Sequence, residues 1–266
     1  MDWHSMLAWT AILAQLAVLC YVVRNYHYVS SKLAKRNGSA FQPRTALIVP
    51  CKGIDARFTV NIRSFLEQDY PNHDLFFVVE AQSDPAYREL TSLQAQAPAR
   101  LHARSVQVLV AGPSRSSSQK IHNLLYALEH IPAECEVLAF ADSDVCVRSD
   151  WLRRLIHPLY RPKCGVATGY RWFVPTQTNL ASLALSAINA AIAQLLGNNP
   201  WNLAWGGSMA VRREDFRRLR VAELWSHTLS DDLSLSQAVK RDGLKITFVP
   251  ACLVASFESF TWRRLC

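Results

Sequence analysis

The sequence predicts an α/β fold, in which a mostly parallel sheet is flanked by helices and preceded by a transmembrane helix. Short apolar segments of strand length alternate with segments of helical periodicity through most of the 266 residues, an alternation typical of parallel sheets. Polar and charged residues follow the apolar segments, at the edge where parallel sheets bind ligands. A long stretch without charged residues stands near the N-terminus.

That N-terminal stretch, Trp3–Val23, contains no Asp, Glu, Lys or Arg. As a helix, its body Met6–Val23 rises roughly 27 Å at ~1.5 Å per residue, close to the ~30 Å hydrocarbon thickness of a bilayer. A buried core helix is the alternative interpretation. A cleaved signal peptide is disfavoured because its basic residues come first. Here the basic residues follow the stretch, which places its C-terminal side in the cytoplasm by the positive-inside rule. They are Arg24, Lys32, Lys35 and Arg36.

We therefore divide the chain into a transmembrane helix at 1–23, a basic juxtamembrane linker at 24–44 and one α/β domain at 45–266. An uncharged segment at 178–197 predicts a packed or interfacial helix rather than a second membrane span, because one further crossing would separate Asp142 from Asp231 and Asp232. The predicted strands are 45–50, 74–80, 106–110, 137–141, 166–173, a strand ending at 211, and 245–249. The predicted helices are 61–68, a helix beginning at Pro85, 119–130 and 233–241.

Composition limits the partners. The formal net charge is +8, from 29 Lys and Arg against 21 Asp and Glu, which suits an anionic membrane surface or an anionic small substrate. The basic residues are not interleaved with aromatic residues as in an RNA-binding sheet, so nucleic acid is not expected as a partner. The seven cysteines are dispersed and include no Cys-x-x-Cys pair, which predicts reduced thiols rather than a zinc site or a disulfide framework.

The segment Val137–Val145 organises the predicted site. It is an apolar strand that opens into Asp142-Ser143-Asp144. Two carboxylates at positions i and i+2 can point the same way, and hard oxygen ligands suit Mg²⁺ or Mn²⁺ together with a nucleotide diphosphate. The alternative is an ordinary turn, since Asp and Ser both favour turns.

Other polar residues follow neighbouring strand ends. Lys52 and Asp84 lie just beyond the first and second strands, and Glu80 closes the second one. Together with Asp142 and Asp144 they place a cation and several carboxylates on one face, which is more than turn chemistry requires.

Two later segments add candidates. The loop Trp205-Gly206-Gly207 permits close backbone approach by a ligand, and its Trp is suited to stacking on a sugar or to packing in the core. Asp231-Asp232 opens a helix, where acidic residues also serve as caps.

These motifs resemble the ceramide glucosyltransferase-like branch of the family 2 glycosyltransferases. The resemblance covers residues 44 to about 260 and rests on several motifs in the same order as in the family. They are Cys51-Lys52-Gly53-x-Asp55, Phe65-Leu66-x-x-Asp69-Tyr70-Pro71, Asp84-Pro85-Ala86, Lys120-Ile121-x-Asn123-Leu124, Asp142-Ser143 and Asp231-Asp232.

The resemblance implies a GT-A fold, a Rossmann-like mostly parallel sheet, in a membrane-anchored, inverting, metal-dependent glycosyltransferase. The expected donor is a UDP-glucose-like nucleotide sugar, the acceptor a ceramide-like or hopanoid-like lipid hydroxyl, and the cofactor Mg²⁺ or Mn²⁺. Asp232 is expected to be the catalytic base, and Asp142 and Asp144 the metal ligands. The donor is expected to contact Lys52, Glu80, Asp84, Lys120 and Asp142. The acceptor is expected to lie near Trp205, Gly206, Gly207 and Asp231. The phosphates are expected to contact Arg263 and Arg264.

The sequence departs from the family at its C-terminal end. The family has a Gln/Arg-x-x-Arg-Trp motif after the last strand, followed by further membrane helices. Here Arg263 or Arg264 aligns with the first position and the chain stops at Cys266, which suggests a fragment or a shortened protein. The alternatives are a polysaccharide synthase of the same fold and a non-catalytic membrane scaffold.

Overall fold

The structure, a computed structural model, describes residues 2–34, 41–95 and 102–265. Lys35 and Arg36 of the predicted linker therefore lie outside the described residues. The helices are α1 (Trp3–Ala34), α2 (Phe58–Leu66), α3 (Pro85–Ala95), α4 (Gln119–His130), α5 (Trp151–Ile156), a 3₁₀ turn (His157–Tyr160), α6 (Leu180–Leu195), α7 (Arg213–Arg218), α8 (Val221–Trp225), α9 (Asp231–Arg241) and α10 (Trp262–Leu265). The strands are β1 (Thr45–Pro50), β2 (His73–Val79), β3 (Ser105–Val110), β4 (Val137–Ala141), β5 (Cys164–Pro175), β6 (Ser208–Arg212) and β7 (Lys245–Glu258).

In the part of the chain that the structure describes, seven strands form one sheet in the order β3-β2-β1-β4-β6-β5-β7. The pairs within β3-β2-β1-β4 are parallel, β6 runs antiparallel to both of its neighbours, and β5 pairs with β7 in parallel. The predicted mostly parallel sheet between helices is confirmed. Because β1, β2 and β4 are parallel, the loops at their carboxyl ends lie on the same edge.

Both faces of the sheet are covered, which explains why the strands are apolar throughout rather than alternating. On β1, Leu47 and Val49 face one layer of helices, and Ile48 faces the other. Trp151 anchors the first layer and Trp225 the second, and both side chains are fully buried. The core on each side therefore holds the sheet in place and, with it, the loops at the strand ends.

Strand β7 is longer than the predicted 245–249. Its first part pairs with β5 up to Phe248, and the pairing resumes at Leu253 after a register shift. Pro250 lies in the shifted segment, where its missing N–H costs no ladder hydrogen bond. The strand therefore continues past Pro250, a residue type that in the sequence predicts the end of a strand.

Helix α1 extends past Val23 to Ala34, so the predicted linker is helical in its first part. Neither Gly nor Pro occurs between Arg24 and Ala34, and nothing there ends the helix. Among the described residues it is the one helix long and apolar enough to cross a membrane, with a mean hydropathy of 2.1 over its most apolar window. None of that window is buried, unlike the core helix that was the alternative.

Hydrogen bonds from Tyr21, Asn25 and Tyr28 fasten the second half of α1 to the domain. Tyr21 Oη donates to the Leu195 carbonyl at 2.7 Å, and Asn25 Nδ2 donates to the Gln194 carbonyl at 2.8 Å. One turn further, Tyr28 Oη donates to the Phe248 carbonyl at 2.6 Å. The first two acceptors lie at the end of α6, which packs along β5 through the buried Asn189.

We expect Asp74→Asn to destabilise the fold by about 3 kcal/mol, as for loss of one partner of a buried ion pair. Asp74 is buried in β2 and accepts hydrogen bonds from Arg44 at 2.7 Å and Ser105 at 2.7 Å. Burial opposes ionisation of this carboxyl, but those donors hold its pKa below its ordinary value. Its stabilisation is therefore complete above the unfolded pKa and is lost as the pH falls through the folded one. Urea unfolding of both proteins at pH 7 and pH 3 measures the difference.

The control for this prediction is Asp242→Asn, which removes an exposed carboxylate paired with Arg218 at 2.8 Å. Exposed ion pairs contribute little, so its unfolding midpoint is expected to match that of the unaltered protein. An Asp74→Asn midpoint equally unchanged at pH 7 contradicts the prediction.

Candidate active site at the carboxyl ends of the strands

A cleft of about 320 Å³ opens where β1, β2 and β4 end and α4 begins. Five of the predicted site residues line it: Lys52, Glu80, Lys120, Asp142 and Asp144. They come from four segments that are distant in sequence. The remaining lining residues are Pro50, Cys51, Gln119, Asn123 and Ser143.

Lys120 is the central cation of the cleft. It lies in the first turn of α4, whose N-cap Ser118 accepts a hydrogen bond from the Ile121 amide. Its Nζ lies 2.8 Å from Asp142 Oδ1 and 3.4 Å from Asp231 Oδ2. Burial alone would lower the pKa of Lys120, but the two carboxylates together raise it above its ordinary value. Lys120 is therefore charged and links the β4 loop to the start of α9.

Arg171 is a further cation in the site, and sequence reasoning missed it. It projects from β5, with its Nη2 3.0 Å from Asp144 Oδ2 and 3.5 Å from Asp142 Oδ2. Its guanidinium also stacks on the Trp205 ring at 5.2 Å from the centroid, a favourable cation–π distance. Its Nε is buried without a hydrogen-bond partner. The signal was an isolated charge within the otherwise uncharged strand segment 164–175.

The Asp142 and Asp144 carboxylates suit a divalent ion whose remaining ligands come from a substrate and from water. Their side chains are 22% and 39% exposed, so both are accessible from the cleft. Burial raises the pKa of Asp144, and the charges of Asp142 and Glu258 add to this while Arg171 opposes it. Within the described ranges no cluster of three or more His, Cys, Asp or Glu residues is arranged to hold a metal. One or two carboxylates completed by phosphate oxygens and water are typical of Mg²⁺ sites.

Asp84 lies beside the cleft rather than on its wall. Its Oδ1 accepts hydrogen bonds from the amides of Gly53 at 2.9 Å and Ala86 at 2.8 Å. It therefore caps the start of α3 and holds the loop that carries Lys52. Gly53 has a φ of +64°, a left-handed conformation that favours glycine. Direct contact between Asp84 and a nucleotide stays a prediction.

The adjacent Asp231 and Asp232 differ in their surroundings. Asp232, the predicted base, accepts hydrogen bonds from the Gly206 amide at 3.1 Å, the Leu233 amide at 2.8 Å and Ser230 Oγ at 2.6 Å. Asp231 is buried, faces Lys120, and its Oδ2 accepts no hydrogen bond. Burial, followed by the charges of Asp232 and Asp142, raises the pKa of Asp231 above its ordinary value, although Lys120 opposes this.

The loop Trp205-Gly206-Gly207 joins the two halves of the site. A Cβ on Gly207 would overlap the Trp205 ring and lie 2.7 Å from Asp142 Oδ2. A Cβ on Gly206 would overlap Asp231 Oδ2 and lie 3.0 Å from Lys120 Nζ. Close packing against the carboxylates on both sides therefore requires glycine at these two positions, and it brings the start of α9 beside the β4 loop.

The predicted phosphate contacts lie at the end of the chain. Arg263 is exposed on α10 and is not among the residues that line the cleft. The side chain of Arg264 lies outside the described residues. A phosphate contact from either residue stays a prediction.

Comparisons with known proteins agree with this architecture. Residues 9–266 match the family described as glycosyl transferase family 21. A ceramide glucosyltransferase from Komagataella phaffii (strain GS115 / ATCC 20864) is 26% identical over 161 residues, which are 59% of this chain and 31% of that protein. The chain thus spans about a third of that relative's length. The fold is similar to that of the mannosyltransferase PcManGT from Pyrobaculum calidifontis, solved with GDP-Man and Mn²⁺, with a TM-score of 0.58 and 19% identity over 95% of this chain and 68% of that one. Because the family match covers nearly all of the sequence, this chain belongs to glycosyl transferase family 21.

Proposed function

We propose that the chain transfers a hexose from a UDP-glucose-like nucleotide sugar to the hydroxyl of a lipid such as ceramide, with inversion at the anomeric carbon. The observation that carries the proposal is that Lys120, which lines the cleft with Asp142 and Asp144, lies 2.8 Å from Asp142 and 3.4 Å from Asp231. Lys120 therefore connects the cleft to the Asp231-Asp232 pair at the start of α9. Family membership supports it, as does the relative named ceramide glucosyltransferase.

The donor side is formed by the loops after β1, β2 and β4. Lys52, Glu80 and Asp84 surround the nucleotide end of the cleft in this proposal, and Lys120 and Asp142 lie near the diphosphate. A divalent ion on Asp142 and Asp144 would act as a Lewis acid and neutralise charge on the departing diphosphate. Lys120 and Arg171 supply fixed positive charge at the same place, and preorganised charge of this kind stabilises a leaving group as its negative charge develops.

The acceptor hydroxyl loses its proton as it attacks, so an inverting transfer requires one positioned carboxylate. The family resemblance selects Asp232 for this role. The contacts favour Asp231, because it is buried in the site and its Oδ2 makes no hydrogen bond among the described residues. We therefore assign the base to the start of α9 and treat the two residues as alternatives for direct comparison.

An exposed apolar surface suited to a lipid lies on α6 and in the loop that follows it. Helix α6 presents Leu180, Ile188 and Leu195 to solvent, and Trp201 just beyond it is 80% exposed. Since α1 is fastened to the end of α6, a membrane-spanning α1 would hold this surface at the bilayer. We propose that the domain lies on the cytoplasmic side, where the basic residues that follow the apolar stretch are expected.

The function is tested by incubating the purified chain in phosphatidylcholine vesicles with UDP-glucose, Mn²⁺ and ceramide. The expected product is a lipid that carries one sugar. A polymeric product would instead identify a polysaccharide synthase. No binding of UDP-sugars at millimolar concentration, measured by titration calorimetry, would instead identify a scaffold.

Removal of the metal is expected to lower transfer by roughly 10²-fold or more, the scale seen when electrostatic stabilisation of a transition state is lost. EDTA should abolish activity and Mn²⁺ should restore it. Asp142→Asn should weaken Mn²⁺-dependent binding of UDP, measured by calorimetry. The matched control, Glu67→Gln, removes an exposed carboxylate at the end of α2 that is not among the residues lining the catalytic cleft. Full activity in EDTA would exclude a metal requirement.

A further inference from the structure

A second cavity lies beside the domain end of α1 and shares no lining residue with the catalytic cleft. Its volume is about 130 Å³, smaller than that of the cleft. The side chains around it come from α1, α5, the 3₁₀ turn with the residue that follows it, and β7. They are Tyr28, Lys32, Arg154, His157, Pro158, Tyr160, Arg161 and residues 247–251.

Among the described residues, the lining of this cavity is basic and contains no carboxylate. Arg154 is paired with Asp150 at 2.6 Å. In residues 2–34, 41–95 and 102–265, by contrast, no carboxylate pairs with Arg161 or His157, and Arg161 Nε donates instead to Tyr160 Oη at 2.8 Å. A concave surface with charge of one sign concentrates ions of the opposite sign.

His157 shows the effect of this charge. Its Nδ1 is buried and makes no hydrogen bond among the described residues, and its ring packs on Tyr160 at 5.1 Å. Burial lowers the pKa of His157, and the positive charges of Arg161 and Lys32 lower it further. The other charged or titratable groups lining the cavity, Tyr28, Arg154 and Tyr160, supply no negative charge at neutral pH. An anion in the cavity would reverse this repulsion and give the imidazole a partner.

The position of the cavity along α1 matches the level of lipid headgroups. Tyr28 lies five residues beyond Val23, roughly 7 Å at ~1.5 Å per residue, and the headgroup layer extends about 5–8 Å beyond the hydrocarbon core on each side. Lys32 lies one turn further, with a side chain long enough to extend back toward that layer. Tyr28 also donates a hydrogen bond to β7 at the cavity wall. This bond holds the cavity at a constant position along the axis of α1.

We propose that this cavity binds the phosphate of an anionic phospholipid headgroup, at a lipid site separate from the acceptor site. The inference rests on the proposed membrane anchoring by α1, but not on the identity of the sugar or of the acceptor. The bound lipid would be a structural partner that orients the domain on the bilayer.

The test uses the full chain in neutral detergent, with phosphatidylglycerol as the anionic probe and phosphatidylcholine as the zwitterionic one. Native mass spectrometry is expected to show selective retention of phosphatidylglycerol, and thermal unfolding a higher midpoint in its presence. Arg161→Gln and Lys32→Gln should each weaken retention about five-fold, as for one basic residue near an anionic surface. Arg161→Lys, which keeps the charge, should retain most of the binding.

The matched control is Arg88→Gln, an equal loss of charge on the exposed face of α3, at the opposite edge of the sheet from β7. Retention in Arg161→Gln equal to that in Arg88→Gln would overturn the site. Glycerol phosphate and inorganic phosphate form the soluble arm, and competition by either at the concentration of the lipid would overturn the assignment to a lipid. Calorimetry with UDP is run on the same variants. If the unaltered protein does not bind UDP but still retains phosphatidylglycerol selectively, the proposed function is contradicted and the lipid site is supported.

Discussion

The Asp231→Asn and Asp232→Asn variants are expected to lose sugar transfer unequally, and the larger loss in kcat, roughly 10²–10⁴-fold, identifies the general base. The side chains are neighbours, but Asp232 accepts three hydrogen bonds from its own loop and from Gly206. Asp231 faces Lys120 from a buried position. Initial rates with UDP-glucose and ceramide, together with calorimetric UDP affinity, separate a loss of chemistry from a loss of binding.

The pH dependence gives a second readout for the same pair. The pKa of Asp231 is raised, mainly by burial, and a base acts only when it is ionised. If Asp231 is the base, activity falls on acidification at a pH above the ordinary Asp value of about 3.9. A raised carboxyl pKa also means that ionised Asp231 disfavours the fold as the pH rises through the unfolded and then the folded pKa. Asp231→Asn should therefore cost little stability at pH 7.

Asp242→Asn, at the far end of the same helix, serves as the control and should leave transfer unchanged. If both Asp231→Asn and Asp232→Asn retain most of the activity, the base does not lie at the start of α9. If both lose UDP binding as well as transfer, the pair shapes the donor site and the general base lies elsewhere.

Gly169→Ala is expected to destabilise the fold by more than about 4 kcal/mol, the range of severe steric substitutions. A Cβ at this position would overlap the Cys252 carbonyl oxygen and lie 2.5 Å from Ser208 Oγ. The first contact is with backbone, which cannot move without breaking the pairing of β5 with β7, and it lies at the register shift between Thr168 and Tyr170. Thermal unfolding in detergent, together with the yield of folded protein, measures the effect.

The control for the glycine is Gly243→Ala. Gly243 has a φ of +73°, and no atom lies within 4 Å of the position that a Cβ would take, so alanine there meets backbone strain but no clash, at a cost of about 1–2 kcal/mol. An unfolding midpoint for Gly169→Ala at or above that of Gly243→Ala contradicts the prediction.

The sequence predicted the parts of the fold and of the site that depend on local pattern. The strands from β1 to β4, helix α4 and the cleft residues Lys52, Glu80, Asp142 and Asp144 follow from apolar segments and from what stands directly after them. Parallel strands place their carboxyl ends together, so adjacency in space follows from position along each strand.

What the sequence did not predict depends on strand order and on contacts between distant segments. Arg171 reaches Asp144 because the antiparallel β6 lies between β4 and β5, an arrangement that periodicity does not indicate. The contrast between Asp231 and Asp232 likewise depends on Gly206 and Lys120. The extension of α1 to Ala34 is stabilised by acceptors more than a hundred residues away in sequence.

The hydrogen bonds of Tyr21, Asn25 and Tyr28 join α1 to the domain, so the helix and the domain move together. A transmembrane helix responds to a thinner bilayer by tilting. A helix joined by a flexible tether would absorb that tilt, whereas a tilt of α1 would rotate the whole domain with it. If α1 spans a membrane as proposed, the height of the cleft above the lipid surface is expected to vary with the acyl-chain length of the host membrane, and the turnover of a lipid acceptor with it.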